Sequence, residues 1–326
     1  MDDRTYHRLV KKAFGNAQKR SAAQTYDCLY PGCSERAIKS HSQQRRGALK
    51  AIAESDLVYA VQRNHYQHLK KLPNSPILVP TLTANASTFY GFCSMHDQLV
   101  FDPIEKGKLT GFNPESAFLM CLRAIAYECA TKRRVKDWTV DIVKELRPFA
   151  DPTLVEHFEV LVEAREIFLA RDGDYYLREL FDALEEKNYD RIASDWKTVP
   201  KNIGVSCCCC YSPLLDTHDD YMKMNWGEPQ PLITVNIVPQ SAETHVVAAW
   251  LIEIEPHCTW IGTELSQPAG LECFINKSAF EESEDTCVRP SLWESVEATE
   301  RVRAELAMLP EYIRGPCVSP PRIVQL

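Results

Sequence analysis

Apolar positions recur at helical spacing from the start of the chain. In residues 5–24, Leu9, Val10 and Phe14 fall on one side, and Arg8, Lys11, Lys12, Lys19 and Arg20 surround the rest. That pattern predicts a basic amphipathic helix. Residues 46–54 predict a short helix, and Leu57 to Gln62 a strand. The polar, proline-punctuated stretch from Asn64 to Asn85 reads as loop, with one strand at Ile77–Val79. Thr88 to Phe92 is β-prone, and a helix is expected to begin near Cys93. Asn113-Pro114-Glu115 is a strong helix start: a capping side chain, a proline at the first helical position, and an acid near the positive end. Phe118, Cys121, Ile125 and Cys129 extend that helix to about Lys132. Asp151-Pro152 opens another, burying Val155, Phe158, Leu161 and Phe168; Gly173 is expected to break it before a further helix from Tyr175 to Lys187.

After Asn188 the pattern changes. Val205 to Tyr211, Leu232 to Val238 and His245 to Ile254 are β-rich runs bounded by Pro, Asn and Asp, and Pro290 opens a closing helix to about Met308. The fold class expected is α+β: a zinc-bearing module over 1–112, a helical region over 113–188, and an α+β domain with a small antiparallel sheet over 189–326.

Composition narrows the function. Hydrophobic residues make up 45% and charged residues 25% of 326, so the chain can build a core without metal or disulfides. No apolar run approaches a membrane span, and the first residues lack the apolar core of a signal peptide. A cytoplasmic protein without membrane contact is expected. In that reducing compartment the 13 cysteines read as metal ligands or small buried hydrophobes rather than a disulfide framework. Residues 1–110 carry 16 Lys and Arg against 9 Asp and Glu, and the remainder 21 against 36. The basic front is either a footprint for nucleic acid or a surface docked against the acidic part. Only 12 glycines, and no phosphate-cradling glycine loop among them, argue against a dinucleotide-binding fold.

The chemistry lies in two pairs. Cys28-x4-Cys33 spans the turn Pro31-Gly32, and Cys93-x2-His96 sits where a strand enters a helix. Zinc takes four thiolate or imidazole ligands in a tetrahedron, and a tight knuckle aims two of them at one point. Two knuckles give the layout of a treble-clef zinc site. His41, in Ser40-His41-Ser42, is a fifth candidate: either the fourth ligand in place of His96, or a group that does chemistry.

The order Cys28/Cys33, Ser40-His41, then Cys93-Ser94-Met95-His96-Asp97 resembles the HNH, or ββα-metal, nuclease superfamily. The C-x4-C, SH and FCxxHD combination is also similar to that of bacterial proteins sharing this module. The resemblance implies a metal-dependent endonuclease on DNA or RNA, acting in bacterial defence. His41 would be the general base, and Asp97 would match a position that holds a catalytic Mg²⁺ or Mn²⁺. The helix position of the family's last histidine is Phe101 here. The alternative function is a non-catalytic, zinc-stabilised binding or scaffolding protein, and a protein partner or homo-oligomer is open in either case.

Arg45, Arg46, Lys70 and Lys71 are candidate phosphate contacts. His65 and His68 are a weaker ligand pair, and His218-Asp219-Asp220 reads as an exposed loop. Cys207 to Cys210 cannot all reach one metal from a strand, whose neighbours point to opposite faces, and read as a buried strand. Lys132-Arg133-Arg134 reads as a helix end complementing the dipole.

Overall fold

The Asp2 side chain accepts the Thr5 N–H at 2.9 Å and so caps α1 (Asp3–Ala23), the first element of the computed structural model. The structure describes residues 2–61, 76–106, 109–213, 227–309 and 320–326. Lys70, Lys71, His65, His68 and His218-Asp219-Asp220 lie outside the described residues. After α1 come β1 (Ser40–His41), a wide helical turn at Arg45–Leu49, and α2 (Lys50–Ile52). The chain continues through β2 (Leu57–Val61), β3 (Leu78–Leu82), β4 (Thr88–Phe89) and α3 (Ser94–Lys106). The helical middle is α4 (Pro114–Leu146), α5 (Pro152–Ile167) and α6 (Asp174–Glu186). Strands β5 (Ile192–Val199), β6 (Val205–Tyr211), β7 (Ile233–Pro239) and β8 (Thr244–Leu251) follow. Helices α7 (Thr259–Ser266) and α8 (Pro268–Lys277), strand β9 (Thr286–Val288), and helices α9 (Pro290–Ser295) and α10 (Ala298–Ala307) complete it.

The fold mixes helix and antiparallel sheet, consistent with the α+β class. The sheet is larger than the sequence pattern indicates. It has seven strands in the order β3-β2-β9-β6-β7-β8-β5, and β1 and β4 form a separate pair. Strands β2 and β3 therefore join the same sheet as the strands after residue 189. Both faces of its middle are covered, so β8 is buried throughout. Val247, Ala249 and Leu251 pack toward α4, while Val246, Ala248 and Trp250 pack toward α7 and α8. The alternation follows from the two-residue period of a strand. Cys207 and Cys209 fall on the α7–α8 side and Cys210 on the α4 side, and all four cysteines are buried.

Two sequence readings are corrected here. Helix α4 does not stop near Lys132 but runs to Leu146. A second apolar stripe, Trp138, Ile142 and Leu146, packs on Phe14 and Ala17 of α1 and on Val155 and Phe158 of α5. Lys132-Arg133-Arg134 is thus mid-helix, and Lys132 answers to Glu128 at 3.0 Å rather than to a dipole end. Gly173 does not break its helix either: its backbone is helical, at φ −58° and ψ −49°, and the chain passes through wide turns at Phe168–Gly173 into α6. A Cβ at Gly173 would sit 3.0 Å from Cys129 Sγ, so the glycine serves close packing.

The β1/β4 pair is tied to the large sheet by a buried polar network. The carboxylate of Asp285, 3% exposed, accepts from Ser42 Oγ at 2.5 Å and Ser87 Oγ at 2.9 Å. Gln43 Nε2 donates to the Asp285 carbonyl at 2.6 Å. Asp285→Ala is expected to cost about 2–4 kcal/mol in urea unfolding, because buried hydroxyl donors lose a charged acceptor. Asp285→Asn, which keeps an acceptor, should cost less; equal stability of all three proteins would contradict the network.

Candidate metal centre

The first knuckle is a small hairpin. Cys28 N–H donates to the Glu35 carbonyl at 2.8 Å and Ala37 N–H to that of Tyr26 at 2.8 Å. Between the cysteines the chain reverses at Pro31-Gly32, where Gly32 has φ 71°, a conformation that favours glycine. The second knuckle is a helix start: the Cys93 carbonyl accepts the Asp97 N–H at 2.9 Å. Backbone bonds from Leu29 to Gly91 at 2.8 Å and from Ile38 to Phe92 at 2.7 Å lock one knuckle onto the other.

The four ligand atoms converge, all lying within 4.8 Å of one another. Cys33 Sγ is 4.0 Å from Cys93 Sγ. His96 Nδ1 is 3.3 Å from Cys93 Sγ and 3.6 Å from Cys28 Sγ. Zinc–ligand bond lengths in a tetrahedron put sulfur–sulfur edges at about 3.8 Å and nitrogen–sulfur edges at about 3.6 Å. The donor set therefore fits zinc in both chemistry and spacing. The Tyr30 ring stacks on His96 at 4.0 Å with 5° between planes, and Phe181 packs edge-on against Tyr30, so the imidazole is held in its plane. Burial pushes the Cys28 thiol up to about 11. At Cys93, burial acts the same way, but the His96 N–H and the Cys28 and Cys33 side chains outweigh it and hold the thiol below its ordinary value. A thiol at a helix start is expected to ionise more easily.

His41 lies outside this cluster. Its Nε2–H donates to the Thr83 carbonyl at 3.1 Å, which leaves the Nδ1 lone pair as the acceptor. Burial, assisted by Arg45 and Lys39 and opposed by the Thr83 carbonyl and Glu105, holds His41 below the usual histidine range. The imidazole is thus neutral at pH 7. Asp97 stands in the first turn of α3 and is half-buried. Burial raises its pKa, against the pull of Arg123, Ser40 and His41. Asp97 and His41 are thus near enough for the histidine to influence the carboxyl electrostatically. Arg45 and Arg46 are exposed at the start of the wide turn after β1.

Two neighbours escaped the sequence reading. Glu105 accepts Arg123 Nη1 at 2.5 Å, and the Arg123 guanidinium lies 4.3 Å from the centre of the Phe101 ring. Arg123 is 4% exposed, a buried cation held by one carboxylate and one aromatic face. The available signals were an arginine inside an apolar helix run, Leu119 to Ala126, and Asp97, Phe101 and Glu105 at helical i, i+4, i+8 spacing. Among the described residues, the Cys28, Cys33, Cys93 and His96 group is the one set of three or more such side chains close enough to hold a metal. No helix among them is long and apolar enough to cross a membrane. No family model, no curated protein and no solved structure matches the chain.

Proposed function

We propose that Cys28, Cys33, Cys93 and His96 hold one structural zinc ion in a treble-clef arrangement, and that the protein uses the module so fixed to engage nucleic acid. The convergence of three sulfurs and Nδ1 at zinc-like spacing carries the reading. Zinc bound there would cross-link the two knuckles and so fix β1 against the start of α3. Elemental analysis of the purified protein is expected to return about one zinc per chain. Wild-type protein that takes up no zinc when purified under reducing conditions with zinc present would overturn the reading.

A catalytic role is favoured by one further observation. His41 bonds the Thr83 carbonyl rather than joining the cysteine cluster, burial favours its neutral form, and Asp97 lies within its electrostatic reach. That is what a general base activating water for phosphodiester hydrolysis requires. Asp97 would hold a Mg²⁺ or Mn²⁺ ion, which such sites commonly bind through one or two carboxylates together with substrate phosphate and water. The ion would supply charge for the phosphate and the leaving oxygen. Arg45 and Arg46, exposed in the turn after β1, would neutralise the nucleic-acid backbone. Zinc-loaded protein with Mg²⁺ or Mn²⁺ is expected to cleave DNA or RNA. Absence of cleavage on single and double strands of both would leave a zinc-stabilised binding or scaffolding protein.

A further inference from the structure

An aromatic slot lies between the zinc hairpin and α4. Tyr26, Phe89, Tyr90 and Trp138 line a cavity of about 60 Å³, together with Thr131 and Arg134. Thr131, Arg134 and Trp138 share one face of α4 at i, i+3 and i+7, and Phe89 and Tyr90 belong to β4 and the residue after it. Thr131 is 6% exposed, and its buried Oγ1 has no hydrogen-bond partner among the described residues; Tyr26 OH, by contrast, lies against the Asp137 carboxylate. A helical threonine ordinarily bonds back to the preceding turn, as Thr139 does to the Val135 carbonyl at 2.7 Å. A buried hydroxyl without a partner points to a ligand or water.

Charge narrows the ligand. Arg133 is committed, lying 4.8 Å over the Tyr26 ring and donating to the Asp27 carbonyl at 3.3 Å. Arg134, on the slot itself, has no ion pair or hydrogen bond among the described residues. A cationic ligand would meet the Arg134 guanidinium, whereas a planar neutral ring carrying a phosphate would meet aromatic side chains, the Thr131 hydroxyl and that arginine. Glu284 also lines the cavity and offers an acceptor for an amino or imino group. At about 10–15 Å³ for each water-sized position, the space suits one six-membered ring.

We propose that this slot takes a pyrimidine base of a single-stranded nucleic acid, with the adjoining phosphate at Arg134. Single-stranded bases are commonly recognised by stacking on aromatic side chains with hydrogen bonds to their edges. The slot adjoins the module described above: His41 pairs with Thr88, the neighbour of Phe89. The proposal rests on the nucleic-acid partner of that reading but not on cleavage.

Fluorescence anisotropy of zinc-loaded full-length protein with labelled oligo-dT, oligo-rU and oligo-dA, without Mg²⁺ or Mn²⁺, tests it. The pyrimidine strands are expected to bind more tightly than oligo-dA. Tyr90→Ala should weaken binding about 5- to 150-fold, the usual worth of one stacked base. Because Tyr90 is 38% exposed, this variant should fold. Thr131→Val should reduce the preference for pyrimidine, and Arg134→Gln should lower the salt slope by about 1. Equal binding by wild type, Tyr90→Ala and Thr131→Val would overturn the slot, as would no binding at all. Uridine monophosphate binding as tightly as the oligomers would overturn the strand in favour of a free nucleotide. Zinc content and cleavage are read separately, so failure here leaves the metal centre standing.

Discussion

Cys93→Ala is expected to release the metal and open the region around residues 26–38 and 88–97, while the seven-stranded sheet stays folded. Structural zinc contributes about 10–16 kcal/mol of apparent binding energy in small zinc peptides. Most of that is at stake locally here, because few apolar side chains hold the first knuckle. Cys33 is only partly buried, and the hairpin around it has a handful of backbone bonds. The large sheet has its own cores on both faces, so the loss should not be global. Zinc content should fall from about one per chain to none, and amide exchange should rise in residues 26–38 with little change in β6 to β8. Cys129→Ala, removing a buried thiol that is not part of the ligand group, should retain zinc. A Cys93→Ala protein with full zinc and unchanged exchange would remove the metal centre from consideration.

His41→Ala is expected to lower metal-dependent cleavage by about 10²–10⁴-fold, the usual loss on removing a general base, and to leave zinc content unchanged. The separation of the two effects follows from geometry, since His41 bonds the Thr83 carbonyl and not the cysteine cluster. The pH profile adds a sign. Only the neutral imidazole accepts a proton, and burial places the His41 pKa below the ordinary 6.5. The rate should therefore be flat through neutral pH and fall only as the pH drops below that ordinary value. Full activity in His41→Ala, or a profile still rising above pH 7.5, would assign the base elsewhere.

The ligands were legible in the sequence because their geometry is local. A turn with Pro31-Gly32 aims Cys28 and Cys33 together, and one helical turn aims Cys93 and His96. The capped helix starts at Asn113 and Asp151 were equally plain, with Asn113 accepting the Ser116 N–H at 2.8 Å and Asp151 the Thr153 N–H at 2.8 Å. What escaped depends on distant partners. Strand β9 is three residues long and exists because β2 and β6 flank it. Strand β5 reads as polar because it is an edge, with Asp195 and Lys197 only partly buried. The second half of α4 looks like a charged tail until α1 and α5 supply its apolar partners. Arg123 and Glu105 meet across two helices; the spacing within each helix marks its own residue but does not pair the two.

The position of β2 has a consequence for synthesis. Tyr59 and Ala60 pair with Val288 and Cys287, so the strand that follows the first knuckle waits for almost the whole chain. At ribosomal speeds of about 5–20 residues per second, that delay is about 10–45 s. During it, Cys28 and Cys33 have emerged and, once Cys93 and His96 follow, the metal can close the four-ligand ring. The neighbouring β2–β3 hairpin, however, presents an unpaired edge made of Leu57, Val58, Tyr59, Ala60 and Val61. Pro80, lying in β3 opposite Tyr59, interrupts the outer edge of that hairpin, leaving β2 as the side open to nascent neighbours. Early metal capture would thus hold the amino-terminal segment in register while its last strand is still being made.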